Sequence, residues 1–325
     1  MEKVLNNTGS YLAEHFISKS MDSEAPIFLT GFARSGTTWV NHLFRDYFDA
    51  GFVNEGQFIL TYAMRLNRYD DLYNPINCKR FLRDLAKDNF FYILMKNYDV
   101  IIDWERVGAV KPEFSAIVCA VLQQIAEQLG KRRIGSKYYM NERFVNILTT
   151  LFPRCRIVHV IRDGRDCALS HQGMTWGYRN VYSAAVHWRK HVNMLHGCAD
   201  KMTNRYLEFR YEDLLLQPES TMRTLEHFIT GTHDDSATRQ YLKDNESISS
   251  YKVSKWRDAM SPSSQAIFEA VAGDTLLKYG YPLAGVTRHL SPLYKAGCIV
   301  YDRLYREGWY WAKKIGMDPS DWTAS

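Results

Sequence analysis

Residues 27–40, IFLTGFARSGTTWV, constrain this chain more than any other stretch. An apolar run, Ile27-Phe28-Leu29-Thr30, ends at Gly31, and Gly36-Thr37-Thr38 opens a segment that reads as a helix through His42, Leu43 and Phe44. Strand, glycine-punctuated loop and helix N-terminus form an anion cradle, because backbone N–H groups point inward and the helix dipole favours negative charge. The spacing from Gly31 to Gly36 is that of the nucleotide-binding loop G-x-x-x-x-G-K-[ST], but Thr37 stands where that loop has its lysine. The cation has moved upstream, to Arg34.

The pattern around this loop predicts an α/β fold: a single domain with a central, mostly parallel sheet flanked by helices and a P-loop-like nucleotide-binding core. Further strands are expected at 52–56, after a turn at Asp49-Ala50-Gly51, around 133–135, at 157–161 and at 205–209. Helices are expected at 37–47, 57–68, 78–97, 113–129, 140–151, 180–201 and 218–228. Residues 1–25 read as a short helix and polar lead-in, 26–284 as the domain and 285–325 as a C-terminal helical extension.

The net charge of +5, from 41 basic and 36 acidic residues, suits an anionic ligand and falls short of a nucleic-acid binder's footprint. The N-terminus shows no signal-peptide core, no run reaches membrane-spanning length, and the six cysteines are scattered without a CxxC pair. These features predict a cytoplasmic protein with reduced thiols. No His, Cys or carboxylate spacing suggests a metal site. In the tail, Leu293, Gly297, Val300, Leu304, Trp311 and Ile315 fall on one helical face among lysines, arginines and aromatics. Such a helix either docks on the body or makes a peripheral contact with a membrane or a partner chain.

A second anion site is encoded after the strand at 157–161. Arg162 at its C-terminal end and Ser170 in the following helix can converge on one anion through forked guanidinium donors and a hydroxyl. The charges of Asp163, Arg165 and Asp166 can alternatively pair among themselves.

Together these stretches resemble the sulfotransferases that use 3′-phosphoadenosine 5′-phosphosulfate. Arg34-Ser35-Gly36-Thr37-Thr38-Trp39 matches the family's 5′-phosphosulfate loop, and Arg162 with Ser170 matches its 3′-phosphate pair. Arg210-Tyr211-Glu212-Asp213-Leu214 is similar to a segment whose tyrosine approaches the nucleotide. Ser254-Lys255-Trp256-Arg257 resembles a late nucleotide-binding turn, so the likeness runs in order from about 26 to 282. Arginine rather than lysine at position 34, and the lack of an R-K-G-x-x-G-x-W element, resemble the bacterial and tyrosylprotein-type branch.

The resemblance implies sulfuryl transfer to a hydroxyl acceptor without a required metal, with Arg34 stabilising the leaving phosphate. It also implies a general base. Glu55, in Val53-Asn54-Glu55-Gly56, occupies a place comparable to the glutamate of tyrosylprotein-type members. Lys137, at a strand end, is a weaker candidate near donor or acceptor. Segments 56–110 and the tail after 285 are expected to wall the acceptor pocket. Tyr62, Met64, Tyr69, Tyr73, Phe90, Phe91, Tyr92 and Trp104 there suit an apolar or aromatic alcohol, phenol or sterol; a carbohydrate or peptide tyrosine is the alternative. A kinase-like phosphotransferase and a non-catalytic nucleotide-binding module remain the competing functions.

Overall fold

The computed structural model of the protein describes residues 25–53, 57–174, 176–245, 253–285 and 288–314. Five strands form one all-parallel sheet: β1 (Ile27–Gly31), β2 (Ala50–Val53), β3 (Arg133–Lys137), β4 (Arg156–Ile161) and β5 (Tyr206–Arg210). Their spatial order is β2-β3-β1-β4-β5. Every residue of β1 is buried, which explains its uninterrupted apolar run: helices cover both faces of the sheet.

From β1 the chain crosses to the edge strand β2 and returns to β3 beside β1, then passes to the other side of β1 through β4 and β5. Such a switch point leaves a crevice outside the strand ends where ligands bind. Register fixes what gathers there, since Leu29 lies opposite Lys137, Gly31 opposite Val160, and Ile161 opposite Arg210. The loop after Gly31, Lys137, Arg162 and Tyr211 therefore share one edge.

The helices are α1 (Thr37–Tyr47), α2 (Phe58–Ala63), α3 (Pro75–Ala86), α4 (Asn89–Tyr98), α5 (Trp104–Gly108), α6 (Phe114–Gln128) and α7 (Glu142–Leu151). They continue with α8 (Gly164–Gln172), α9 (Val181–Ala199), α10 (Asp213–Leu216), α11 (Pro218–Thr230) and α12 (Ser236–Asp244). The last are α13 (Trp256–Ala259), α14 (Pro262–Lys278) and α15 (Pro292–Lys314).

Three local expectations change. The turn expected at 49–51 is strand from Ala50, because β2 lies directly on α6: a Cβ on Gly51 would stand 2.6 Å from the Cα of Ala126. The helix expected at 78–97 is two helices, broken where the Asp88 carboxylate accepts the Phe90 N–H at 2.9 Å and caps α4. The helix expected at 57–68 stops at Ala63 and resumes as a single 3-10 turn, Leu66–Arg68. Most of the N-terminal lead-in, and Asn54, Glu55 and Gly56 of the expected strand, lie outside the described residues.

Several aromatics expected in a pocket wall are core. Tyr62, Tyr69, Phe90 and Phe91 are buried, with the Phe90 ring stacked on Phe58 at 4.9 Å and the Tyr62 hydroxyl donating to the Asp84 carbonyl. Tyr73 and Tyr92 are exposed on the outer surface of this helical layer.

Candidate active site

The loop after β1 is held in an uncommon backbone conformation. Arg34 has φ 71° and Gly36 φ 85°, and the Ser35 N–H closes a turn onto the Phe32 carbonyl at 3.0 Å. At Gly36 a side chain has no room: a Cβ would stand 2.4 Å from the Tyr211 ring. The tyrosine thus closes the cradle from the β5 side, and Trp39 packs edge-on against it with ring centroids 5.5 Å apart.

The sequence-predicted groups converge here. Arg34 Nε donates to the Ser170 hydroxyl at 2.8 Å. Arg162 Nη1 donates to the Arg34 carbonyl at 3.1 Å, and its guanidinium carbon lies 4.9 Å from the Tyr211 ring centroid. Lys137 Nζ, reaching across from the end of β3, donates to the Thr38 hydroxyl at 3.2 Å. Ser35 is buried with its hydroxyl 3.6 Å from the Cys167 sulfur. Burial pushes the Cys167 thiol up to about 12, so it is a protonated packing group rather than a nucleophile.

Arg162 has donor capacity to spare. Its Nη2 lies 3.7 Å from Asp166, and its Nε is buried with no hydrogen-bond partner among the described residues. Burial works against its charge, but Cys167, Asp166, Tyr211 and Glu212 around it raise its pKa overall. A cation so placed, beside a serine hydroxyl and a second arginine, fits a phosphate oxygen.

Underneath lies a network that sequence reasoning missed. Arg165, fully buried, donates from Nε and Nη2 to the two oxygens of Asp163, from Nη1 to Glu269 at 2.7 Å, and from Nη2 to the Pro282 carbonyl. Glu212, buried and pushed up in pKa by that burial, accepts the Asp163 N–H at 3.0 Å and the Tyr281 hydroxyl at 2.9 Å. These contacts tie the start of α8 to β5, α14 and the segment after it. The alternating charges of Arg162 to Asp166 signalled pairing; the glutamates completing it carry no local signal.

The late turn joins the same network. Ser254 has φ 56°, and the Trp256 N–H is accepted by Asp166 at 2.8 Å. Trp256 was expected to contact the nucleotide, but its ring is buried beneath Arg165, whose guanidinium carbon lies 3.5 Å from the ring centroid. It supports the turn, while Lys255 and Arg257 are exposed beside it.

On the α8–α9 side of the loop stands an aromatic wall. The buried Phe32 ring touches Tyr139, His171, Tyr178 and His191. Tyr139 and Trp176, whose ring packs edge-on against His171, keep 49% and 45% of their surface exposed. Burial pushes His191 down to about 3 and His171 to about 4, so both imidazoles are neutral at pH 7. The candidate base Glu55 lies outside the described residues. Among the described residues no three His, Cys, Asp or Glu side chains gather as a metal site.

Structurally the chain resembles the sulfotransferase domain of the Synechococcus PCC 7002 olefin synthase, with 18% identity, 77% of this chain and 96% of that one covered, and a TM-score of 0.48. It also resembles the sulfotransferase domain from the curacin biosynthetic pathway, with 16% identity, coverage of 80% and 99%, and a TM-score of 0.48. A sulfotransferase from Mycobacterium avium matches at 13% identity, coverage of 86% and 83%, and a TM-score of 0.43. No curated protein sequence matches. The model described as "Sulfotransferase family" matches residues 26–235, from β1 to the residue before α12, and the chain belongs to that family.

Proposed function

We propose that this protein transfers the sulfuryl group of 3′-phosphoadenosine 5′-phosphosulfate to a hydroxyl acceptor by in-line displacement. One observation supports the reading: the Arg34 guanidinium donates to the Ser170 hydroxyl and Arg162 donates to the Arg34 carbonyl, so two guanidinium groups and a hydroxyl from distant segments border the glycine loop. Ordinary nucleotides need only the loop, and a second anion site beside it suits a nucleotide with a separate 3′-phosphate.

In this reading Ser35, Gly36, Thr37 and Thr38 hold the 5′-phosphosulfate with backbone and hydroxyl donors at the α1 N-terminus. Arg162 and Ser170 take the 3′-phosphate. Trp39 and Tyr211 pack against the adenosine, and Ser254, Lys255 and Arg257 border it. The acceptor oxygen forms a bond to sulfur as the bond from sulfur to the 5′-phosphate oxygen breaks, leaving adenosine 3′,5′-bisphosphate. Arg34 and Lys137 stabilise the charge that grows on the leaving oxygen. The acceptor proton passes to the carboxylate of Glu55. No metal is needed for any of these steps.

Tyr139 and Trp176, the exposed rings beside Arg34's loop, favour an acceptor with an aromatic or apolar body over one recognised only by hydrogen bonds. The protein works in the cytoplasm in this reading.

Calorimetric titration tests the donor. Adenosine 3′,5′-bisphosphate should bind without metal and much more tightly than ATP, ADP or AMP, and Arg162→Ala should abolish the preference. Equal or tighter binding of ATP would favour a kinase-like activity. Failure of every nucleotide would leave a protein that retains the family's fold without its donor.

A further inference from the structure

Helix α15, 23 residues long, has two different faces. Its inner face is docked on the start of α9. Asp302, 2% exposed, accepts the Arg179 N–H at 3.0 Å and pairs with Arg306 on its own helix, and the Asn180 side chain donates to the Cys298 carbonyl at 2.9 Å. The Arg179 guanidinium carbon lies 4.4 Å from the Tyr305 ring centroid.

The outer face carries a seam of apolar side chains. Leu293, Val300, Leu304 and Trp311 are 83%, 54%, 64% and 56% exposed. Their intervals of seven, four and seven, with Gly297 and Gly308 at matching places between them, repeat every eleven residues. Eleven residues span three turns, so this seam runs almost straight along the helix for about 27 Å. Exposed Tyr301 and Tyr310 stand on either side of it.

Charge decides what covers this seam. The helix holds Lys295, Arg303, Arg306, Lys313 and Lys314 against Asp302 and Glu307; Arg303 pairs with Glu307 at 2.8 Å and Arg306 with Asp302 at 3.2 Å, so the excess positive charge lies on the three lysines. Arg303, Arg306, Glu307 and Tyr310 outline an open hollow beside the seam. An apolar seam edged by tyrosines, on a helix with a net excess of cations, complements an anionic bilayer surface: the apolar groups enter the headgroup–acyl boundary while the cations meet lipid phosphates. A second copy packed on the seam would bring two net-positive helices together. No described helix is long and apolar enough to cross a membrane.

We propose that α15 is a peripheral anchor that seats the protein on an anionic lipid surface through the Leu293–Val300–Leu304–Trp311 seam. The full chain should co-sediment with phosphatidylcholine vesicles containing phosphatidylserine, and much less with phosphatidylcholine alone. Raising salt should weaken the binding. Leu304→Glu should lower vesicle affinity at least about tenfold, since it trades an inserted side chain for a repelled charge. Arg303→Gln, which leaves the seam intact, should weaken only the component that depends on anionic lipid. The melting temperature and nucleotide binding of both variants should match those of the parent, because these side chains are exposed and remote from the loop. Failure to bind, equal binding to neutral vesicles, or unchanged binding by Leu304→Glu would overturn the proposal. So would a dimer, seen by light scattering, that Leu304→Glu dissociates, because the seam would then be covered by a second copy.

Discussion

Arg34 and Ser170, 136 positions apart, are joined by a 2.8 Å hydrogen bond from guanidinium Nε to hydroxyl oxygen. The two proposed anion sites are therefore one continuous surface, with the cation assigned to the leaving group resting on a residue assigned to the 3′-phosphate. Arg34→Ala should lower turnover by roughly 10²–10³, the scale of losing one preorganised donor to developing charge. Ser170→Ala should instead weaken the bisphosphate nucleotide and leave AMP binding almost unchanged. Single-turnover kinetics and calorimetry on the two variants separate these effects.

Glu55→Gln should retain nucleotide binding and lose at least about a hundredfold in turnover, because the amide keeps the size of the carboxylate but accepts no proton. Near-normal turnover would remove Glu55 from the mechanism.

Gly36→Ala should abolish nucleotide binding with only a modest loss of stability. The added methyl meets the Tyr211 ring, and φ 85° disfavours any side chain. Combining it with Tyr211→Ala should relieve the clash but not restore affinity, since the backbone preference and the lost ring both remain. Calorimetry on the single and double variants checks this.

Arg165→Met should destabilise the fold by about 3–5 kcal/mol, because Asp163 and Glu269 would be left as uncompensated buried charges. Urea unfolding measures it. A triple change that also neutralises both acids should recover part of the loss.

Mild acid should destabilise the protein through its buried histidines. An unfolded histidine binds its proton near pH 6.5, whereas native His191 does so only near pH 3. Between these values the unfolded chain holds more protons, so stability rises with pH and is lost as pH falls below 6.5. His191 alone should cost roughly 2 kcal/mol at pH 5. Melting curves from pH 7 to pH 5 should flatten in His191→Phe relative to the parent.

What the sequence disclosed depended on how local each signal was. β1 and β4 were legible because strands buried on both faces are continuous apolar runs, and Arg34 and Ser170 because each sits at a fixed offset from such a strand. Ala50-Gly51 reads as a turn by composition, yet it is strand: small residues stand there so that α6 can touch the sheet. Tyr62 and Phe90 carry the same side chains a pocket would use, and only tertiary packing turns them inward. The Arg165–Glu269 pair spans 104 positions and has no pattern in the chain. Trp256 was recognisable as part of the late turn, but whether its ring faced ligand or core depended on Arg165 above it.

Arg165 also determines how the protein can be interrogated. Its contacts bind α8, which carries Ser170, to α14 and the Pro282 segment, so the proposed donor site cannot loosen without breaking ion pairs in the core. Site occupancy and global melting are then thermodynamically linked, and a ligand at a hundred times its dissociation constant adds about 2.7 kcal/mol to stability. A thermal-shift library read in the presence of saturating bisphosphate nucleotide would rank hydroxyl compounds by affinity. Under the proposed function, the acceptor is then read from how far it raises the melting temperature of the fold.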